Sequence, residues 1–194
     1  TSILKYFCKR VIANSSNEFR VNKIFNELKS QGYKVSKDTL YEFQDNIESI
    51  YLSLFLPKYS NSVIKREFSQ KKSYSIDTGF ANALDYKFYN DKPRQFENLI
   101  YLELLKKGKE LTYYKDNYEC DFLTLDRGEP VEAVQVSFDI SDEATRKREM
   151  RGLVEACKFL GLKRGKIITS SEESEVVDQG IKMSIVPVYK YLLQ

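Results

Sequence analysis

Apolar side chains recur at helical spacing three times in the first fifty residues. Ile3, Leu4, Phe7, Val11 and Ile12 predict a helix over 2–14, and Val21, Ile24, Phe25 and Leu28 one over 20–31 that Gly32 closes. Leu40, Phe43, Ile47 and Ile50 predict a third over 37–50, with Ser36 as its N-cap. The pattern then becomes strand-like at 51–59 and 73–76, on either side of a basic loop. Three helices followed by two strands around a loop is the plan of a winged helix, closing here at Gly79.

After a mixed connector over 80–96, the stretch 97–107 is apolar on most faces, so a helix there must be buried on more than one side. Strands are predicted at 111–115, 118–125 and 131–138, with turns at Asp116-Asn117 and Asp126-Arg127-Gly128. A long helix over 142–160 carries Met150, Leu153, Val154, Cys157 and Leu160 on its apolar face. A strand at 166–169, a brief helix at 176–179 and a last strand at 185–189 complete the chain. The order α-β-β-β-α-β implies a meander followed by a right-handed crossover. That is the core order of the PD-(D/E)XK, restriction-endonuclease-like fold. The expected architecture is therefore mixed α+β and α/β, with a winged-helix-like domain over 1–79 and a restriction-endonuclease-like domain over 80–194.

Composition narrows the chemistry. The 14 Tyr and 12 Phe among 194 residues argue against disorder. A net charge of +3 excludes a uniformly polybasic chain, but the charge is uneven: residues 1–80 hold 13 basic and 8 acidic side chains, the remainder 18 and 20. Histidine is absent, which removes imidazole bases, His-ligated zinc and Ser–His or Cys–His catalysis. Cys8, Cys120 and Cys157 have no metal-ligand spacing and suit a reducing compartment, so a cytoplasmic location is expected. No apolar run reaches the roughly 18 residues of a membrane span, and no signal peptide is visible. The chain opens on Thr directly in helical sequence, as expected of a fragment of a longer polypeptide.

Carboxylates are left to carry any hydrolytic chemistry. A Mg²⁺-dependent nuclease needs oxygen ligands and a means of activating water. Glu97 on the core helix and Asp121 in the second strand are the candidate metal ligands, and Glu132 and Gln135 of the third strand complete a candidate catalytic set. Each has a plainer alternative. Asp121, with Glu119 on its strand face, suits a water-facing edge. Glu97 suits the dipole of a first helical turn. Glu132 and Gln135 are three residues apart and face opposite sides unless a bulge intervenes. Ala133 stands where the intact motif has an acid, and Gln135 lacks the charge of the usual Lys. A competent nuclease and a non-catalytic interaction or regulatory module both remain open.

DNA contact is expected from Lys37 on the third helix and from Lys65, Arg66, Lys71 and Lys72 of the wing. Asp38, Glu42, Asp45 and Glu48 on the same helix would repel phosphate, and the alternative is a winged helix that docks another module. The basic positions of the long helix read as a solvated face or, at Arg148 and Arg151, as phosphate contacts.

Several spaced segments together resemble a known family: 72–79 (KSYSIDTG), 97–104 (ENLIYLEL), 113–115 with Glu119-Cys120-Asp121-Phe122, and 132–136 (EAVQV). Arg148-Glu149, the IIT segment and the terminal Ile185-Val186-Pro187-Val188 with Tyr191-Leu192-Leu193 fit as well. They are similar to the DUF4143 region of archaeal and bacterial AAA+-type ATPases. The resemblance implies a P-loop ATPase module N-terminal to a winged helix and a PD-(D/E)XK-like domain in one polypeptide. It maps Glu97 and Asp121 to the acidic site, and Glu132 and Gln135 to the third-strand motif. The chain contains no GxxxxGK[ST], so ATP belongs only to a module outside it.

Overall fold

The computed structural model describes residues 2–84 and 90–193. The chain divides into two compact units, one of residues 1–56 and 68–98, the other of 57–67 and 99–194. The division does not follow the sequence boundary between 79 and 80. It falls inside a helix, and it cuts the basic loop of 60–72, assigning 57–67 to the second unit and 68–72 to the first.

The first unit contains α1 (Ser2–Ala13), β1 (Asn17–Phe19), α2 (Val21–Ser30), α3 (Lys37–Ser49), β2 (Ser53–Pro57, its last residue in the second unit), β3 (Lys71–Ser75) and α5 (Thr78–Leu84). The helical periodicity holds. Phe7 and Val11 of α1, Val21, Ile24 and Leu28 of α2, and Leu40 and Ile47 of α3 share one core with Phe19 and Phe55. Ser36 caps α3, its hydroxyl accepting the Thr39 N–H at 3.0 Å. The strand order is β1-β3-β2, with β1 antiparallel to β3. Strand β1 falls between the first two predicted helices, where no strand was expected; its three residues are too few to show a period.

Helix α6 (Lys92–Lys106) begins five residues earlier than the periodicity predicts. Asp91 supplies the start, its carboxylate accepting the Arg94 N–H at 3.2 Å. Pro93 lies in the first turn, where its missing N–H is no loss. Glu97 is thus past the first turn, which removes the dipole explanation for it. Residues 85–89 of the connector lie outside the described residues. Within the first unit, Asn98 extends the sheet: its Oδ1 accepts the Ser75 N–H and its Nδ2 donates to the Ser75 carbonyl, both at 2.9 Å.

The second unit is built on a six-stranded sheet, order β4-β5-β6-β7-β9-β8. Strands β4 (Glu110–Lys115), β5 (Glu119–Asp126) and β6 (Glu129–Val136) form the antiparallel meander. Helix α7 (Glu143–Leu160) crosses over to β7 (Arg164–Thr169), which runs parallel to β6 and to β9 (Ile181–Pro187). Strand β8 (Ser174–Asp178) is antiparallel to β9, and α8 (Val188–Leu192) follows. The predicted helix at 176–179 is therefore a strand. Its sequence signal was Gln179-Gly180, both at positive φ, which makes a two-residue hairpin loop like that at Arg127-Gly128. The remaining helix, α4 (Val63–Glu67), sits in the 57–67 segment. That segment joins the meander: Lys58 bridges Tyr113, and the Tyr59 N–H donates to the Tyr113 carbonyl at 2.7 Å.

The α7 face explains the crossover. Glu149, Gly152, Leu153, Ala156 and Cys157 are buried in steps of three and four. Gly152 permits the closest approach, because a Cβ there would lie 2.1 Å from the Glu119 carbonyl oxygen.

Candidate functional site

Asp121 and Gln135 stand at the end of the β5–β6 ladder, one step beyond the last register pair, Phe122 with Val134. Side chains replace the ladder there. The Asp121 carboxylate accepts the Val136 N–H at 2.9 Å, and the Gln135 side-chain oxygen accepts the Asp121 N–H at 3.3 Å. The Gln135 Nε2 then donates to Glu149 Oε2 at 2.6 Å. The other Glu149 oxygen accepts Nε and Nη2 of Arg148 at 3.1 and 2.6 Å. Asp121, Gln135 and Glu149 are all buried, 5–8% exposed, as groups with such partners can be.

The strand pleat places these groups on the α7 side of the sheet, while the Phe122 ring stacks on Tyr101 of α6 at 6.0 Å. Glu132 is not with them. The irregularity in the β5–β6 register lies between Thr124 and Leu125, before Glu132, so no bulge separates Glu132 from Gln135 and the two face opposite sides. Glu132 pairs instead with Lys166 at 2.8 Å. The Lys166 ammonium lies 5.3 Å from the Tyr191 ring and the Lys107 ammonium 4.4 Å from it. Burial, then Glu132 and Glu103, push the Tyr191 hydroxyl up to about 12.

Glu97 belongs to the first unit. Its Oε1 accepts from Lys72 Nζ at 3.0 Å and from the Tyr74 hydroxyl at 2.7 Å. The two donors are two residues apart on β3 and so share a strand face. Glu119 pairs with Lys115 at 3.0 Å. Among the described residues no three His, Cys, Asp or Glu side chains gather as a metal ligand set. Both Glu149 oxygens, one Asp121 oxygen and the Glu97 Oε1 already accept from N–H, O–H or ammonium donors.

Two of the five candidate DNA contacts are spent inside the protein. Lys72 is buried on Glu97. Arg66 is buried in the second unit, donating to Glu110 and to the carbonyls of Ser60 and Gly128. Lys65 and Lys37 are exposed and Lys71 is half-buried, with Lys37 5.4 Å from the Phe25 ring. Sequence reasoning missed Glu149 as a member of the site. Its signal was its position three before Gly152 and four before Leu153, one turn upstream on the apolar stripe.

Residues 94–191 match the model of a family described as "Domain of unknown function (DUF4143)". The chain is 34% identical over 189 residues to the uncharacterized protein MJ1544 of Methanocaldococcus jannaschii, covering 92% of the chain and 41% of that protein. It is 25% identical over 143 residues to an uncharacterized protein of Haemophilus influenzae, covering 73% of the chain and 36% of that relative. The chain thus spans well under half the length of both relatives. No solved structure matches it.

Proposed function

We propose, from the premise that the chain belongs to the DUF4143 family, that it is a non-cleaving interaction and regulatory module of a longer P-loop ATPase. In this reading a winged-helix-like unit is joined to a restriction-endonuclease-like unit whose acidic centre has become a hydrogen-bond network. One observation carries it: Asp121, Gln135 and Glu149 satisfy one another, the Val136 N–H and Arg148. A hydrolytic centre needs carboxylate oxygens open to a cation and a positive group beside the scissile phosphate. Here the carboxylates hold protein donors, and an amide stands in the position where the motif has Lys.

Three helices with a small three-stranded sheet, whose first strand lies between α1 and α2, support the winged-helix reading. The antiparallel meander with its helical crossover supports the nuclease-like one. The greater length of both relatives supports a polypeptide with further modules.

The test is to incubate the chain with supercoiled, linear and branched DNA in Mg²⁺ or Mn²⁺. Wild type and Asp121→Ala should both leave the DNA intact, and titration calorimetry should find no bound Mn²⁺. Metal-dependent cleavage by the wild type that disappears in Asp121→Ala would overturn the proposal.

A further inference from the structure

The outward side of α7 carries Lys147, Arg148, Arg151 and Lys158, all exposed. Positions 148, 151, 155 and 158 follow in steps of three and four, which lines one helix face. Lys147 is paired with Glu143 at 2.5 Å, and Lys158 donates to the Gln179 side chain at 2.5 Å. The two arginines are differently placed. Arg151 makes no ion pair among the described residues. The Arg148 side chain is 67% exposed, yet its Nε and Nη2 are both held by the buried Glu149, which leaves Nη1 uncommitted. Glu149 is fixed in turn by Gln135. Exposed ion pairs add little stability, so what a buried carboxylate provides here is a fixed guanidinium orientation.

Aromatic side chains share this surface. The turn between β4 and β5 is tied to α7 by the Tyr118 N–H, which donates to Glu155 at 3.2 Å. Glu155 lies four residues after Arg151 and four before Phe159, so the Tyr118 backbone is held one helical turn from each of them. Tyr118 is 38% exposed and Phe159 61%, the Phe159 ring backed by Tyr114 at 5.4 Å. The nearby acids are engaged: Glu143 with Lys147, Glu155 with the Tyr118 amide, and Asp116 with the Asn117 side chain.

We propose that this face of α7, with the β4–β5 turn, binds single-stranded nucleic acid. Arg148 and Arg151 take backbone phosphates, and Tyr118 and Phe159 offer ring faces to unpaired bases. Cations beside exposed rings suit a single strand, because bases closed in a duplex cannot stack on a protein ring. The proposal uses none of the wing residues and requires no cleavage, so it stands or falls independently of the non-cleaving reading.

Fluorescence anisotropy of a labelled oligothymidylate and of a matched duplex, in EDTA, tests it. The wild type should bind the single strand more tightly than the duplex, with affinity falling as salt rises by roughly 0.7 log units per log salt for each phosphate neutralised. Arg151→Glu, which lies outside the buried network, should weaken binding about tenfold or more and flatten that salt slope. Tyr118→Ala and Phe159→Ala should each weaken it about fivefold or more, the range of base–aromatic stacking. Unchanged melting temperatures keep these effects apart from folding. No salt-sensitive binding by the wild type, wild-type affinity in Arg151→Glu, or equal affinity for the duplex would each overturn the proposal. So would binding to phosphatidylserine vesicles without binding to the oligonucleotide.

Discussion

Gln135 and Glu149 meet at 2.6 Å between β6 and α7, and the same Gln135 side chain takes the Asp121 N–H with its oxygen. An amide serves both ends because it carries donors and an acceptor. A lysine has three donors and no acceptor, so it could serve Glu149 but not the Asp121 amide. Gln135 is therefore the residue that these two hydrogen bonds select.

Gln135→Ala should destabilise the chain by about 2–3 kcal/mol, because it leaves a buried amide and a buried carboxylate oxygen without their partner. Glu149→Gln should cost less, since it removes the buried charge along with one acceptor. A double-mutant cycle in urea should give a coupling of about 1 kcal/mol or more between the two positions. Additive losses would mean that the contact contributes nothing specific.

Buried Lys72 and half-buried Glu97 form an ion pair in the first unit, with the fully buried Tyr74 donating to the same carboxylate oxygen. Removing one charge strands the other, at a typical cost of about 3–5 kcal/mol, whereas replacing both by apolar groups is often tolerated. Glu97→Leu and Lys72→Met should each lower the urea midpoint sharply, and the double variant should recover most of the loss. If Glu97→Leu is as stable as wild type, the pair is not what Glu97 is for.

How far this was legible in the sequence depends on the residue. Helical periodicity located α1, α2, α3 and α7, because a one-sided apolar face leaves a regular trace. It misplaced the start of α6, where Asp91 and Pro93 carry the signal and no apolar residue does. It missed β8, whose outward Val177 sits on an edge strand and whose turn, Gln179-Gly180, was the better clue. At the site, Asp121 and Gln135 could be picked out as polar residues inside apolar strands. Their partner Glu149 was harder to find: between Arg148 and Met150 it reads as part of a charged face, and only its spacing to Gly152 and Leu153 puts it on the buried stripe. The burial of Lys72 was hidden in the same way: a Lys-Lys pair before a strand reads as surface, and what marks Lys72 as buried is its partner Glu97, far away in the sequence.

Gly152 sets the distance between α7 and β5. A methyl group there would press on the Glu119 carbonyl, which is backbone and cannot rotate away. Gly152→Ala should therefore cost about 3 kcal/mol, at the upper end of ordinary overpacking, despite the helix propensity gained. Thermal unfolding would show the drop. A rise in melting temperature would mean that the helix shifts freely on the sheet.

Asp142 caps the N-terminus of α7, its carboxylate accepting the Thr145 N–H at 2.8 Å. That backbone hydrogen bond, followed by one from the Thr145 side chain, holds the carboxyl below its ordinary value. Ser141 does the same for Asp139, again chiefly through its backbone N–H. A lowered folded value fixes the sign. The contribution is complete above the unfolded value of about 3.9 and is lost as pH falls from there through the folded value. Asparagine caps helices about as well as aspartate but does not titrate. Urea midpoints measured from pH 6 down to pH 3 should fall less steeply for Asp142→Asn than for the wild type, with the two curves diverging at the acid end. Parallel curves would show that the ionised cap contributes nothing to the stability of α7, and with it to the helix that supports Arg148 and Glu149.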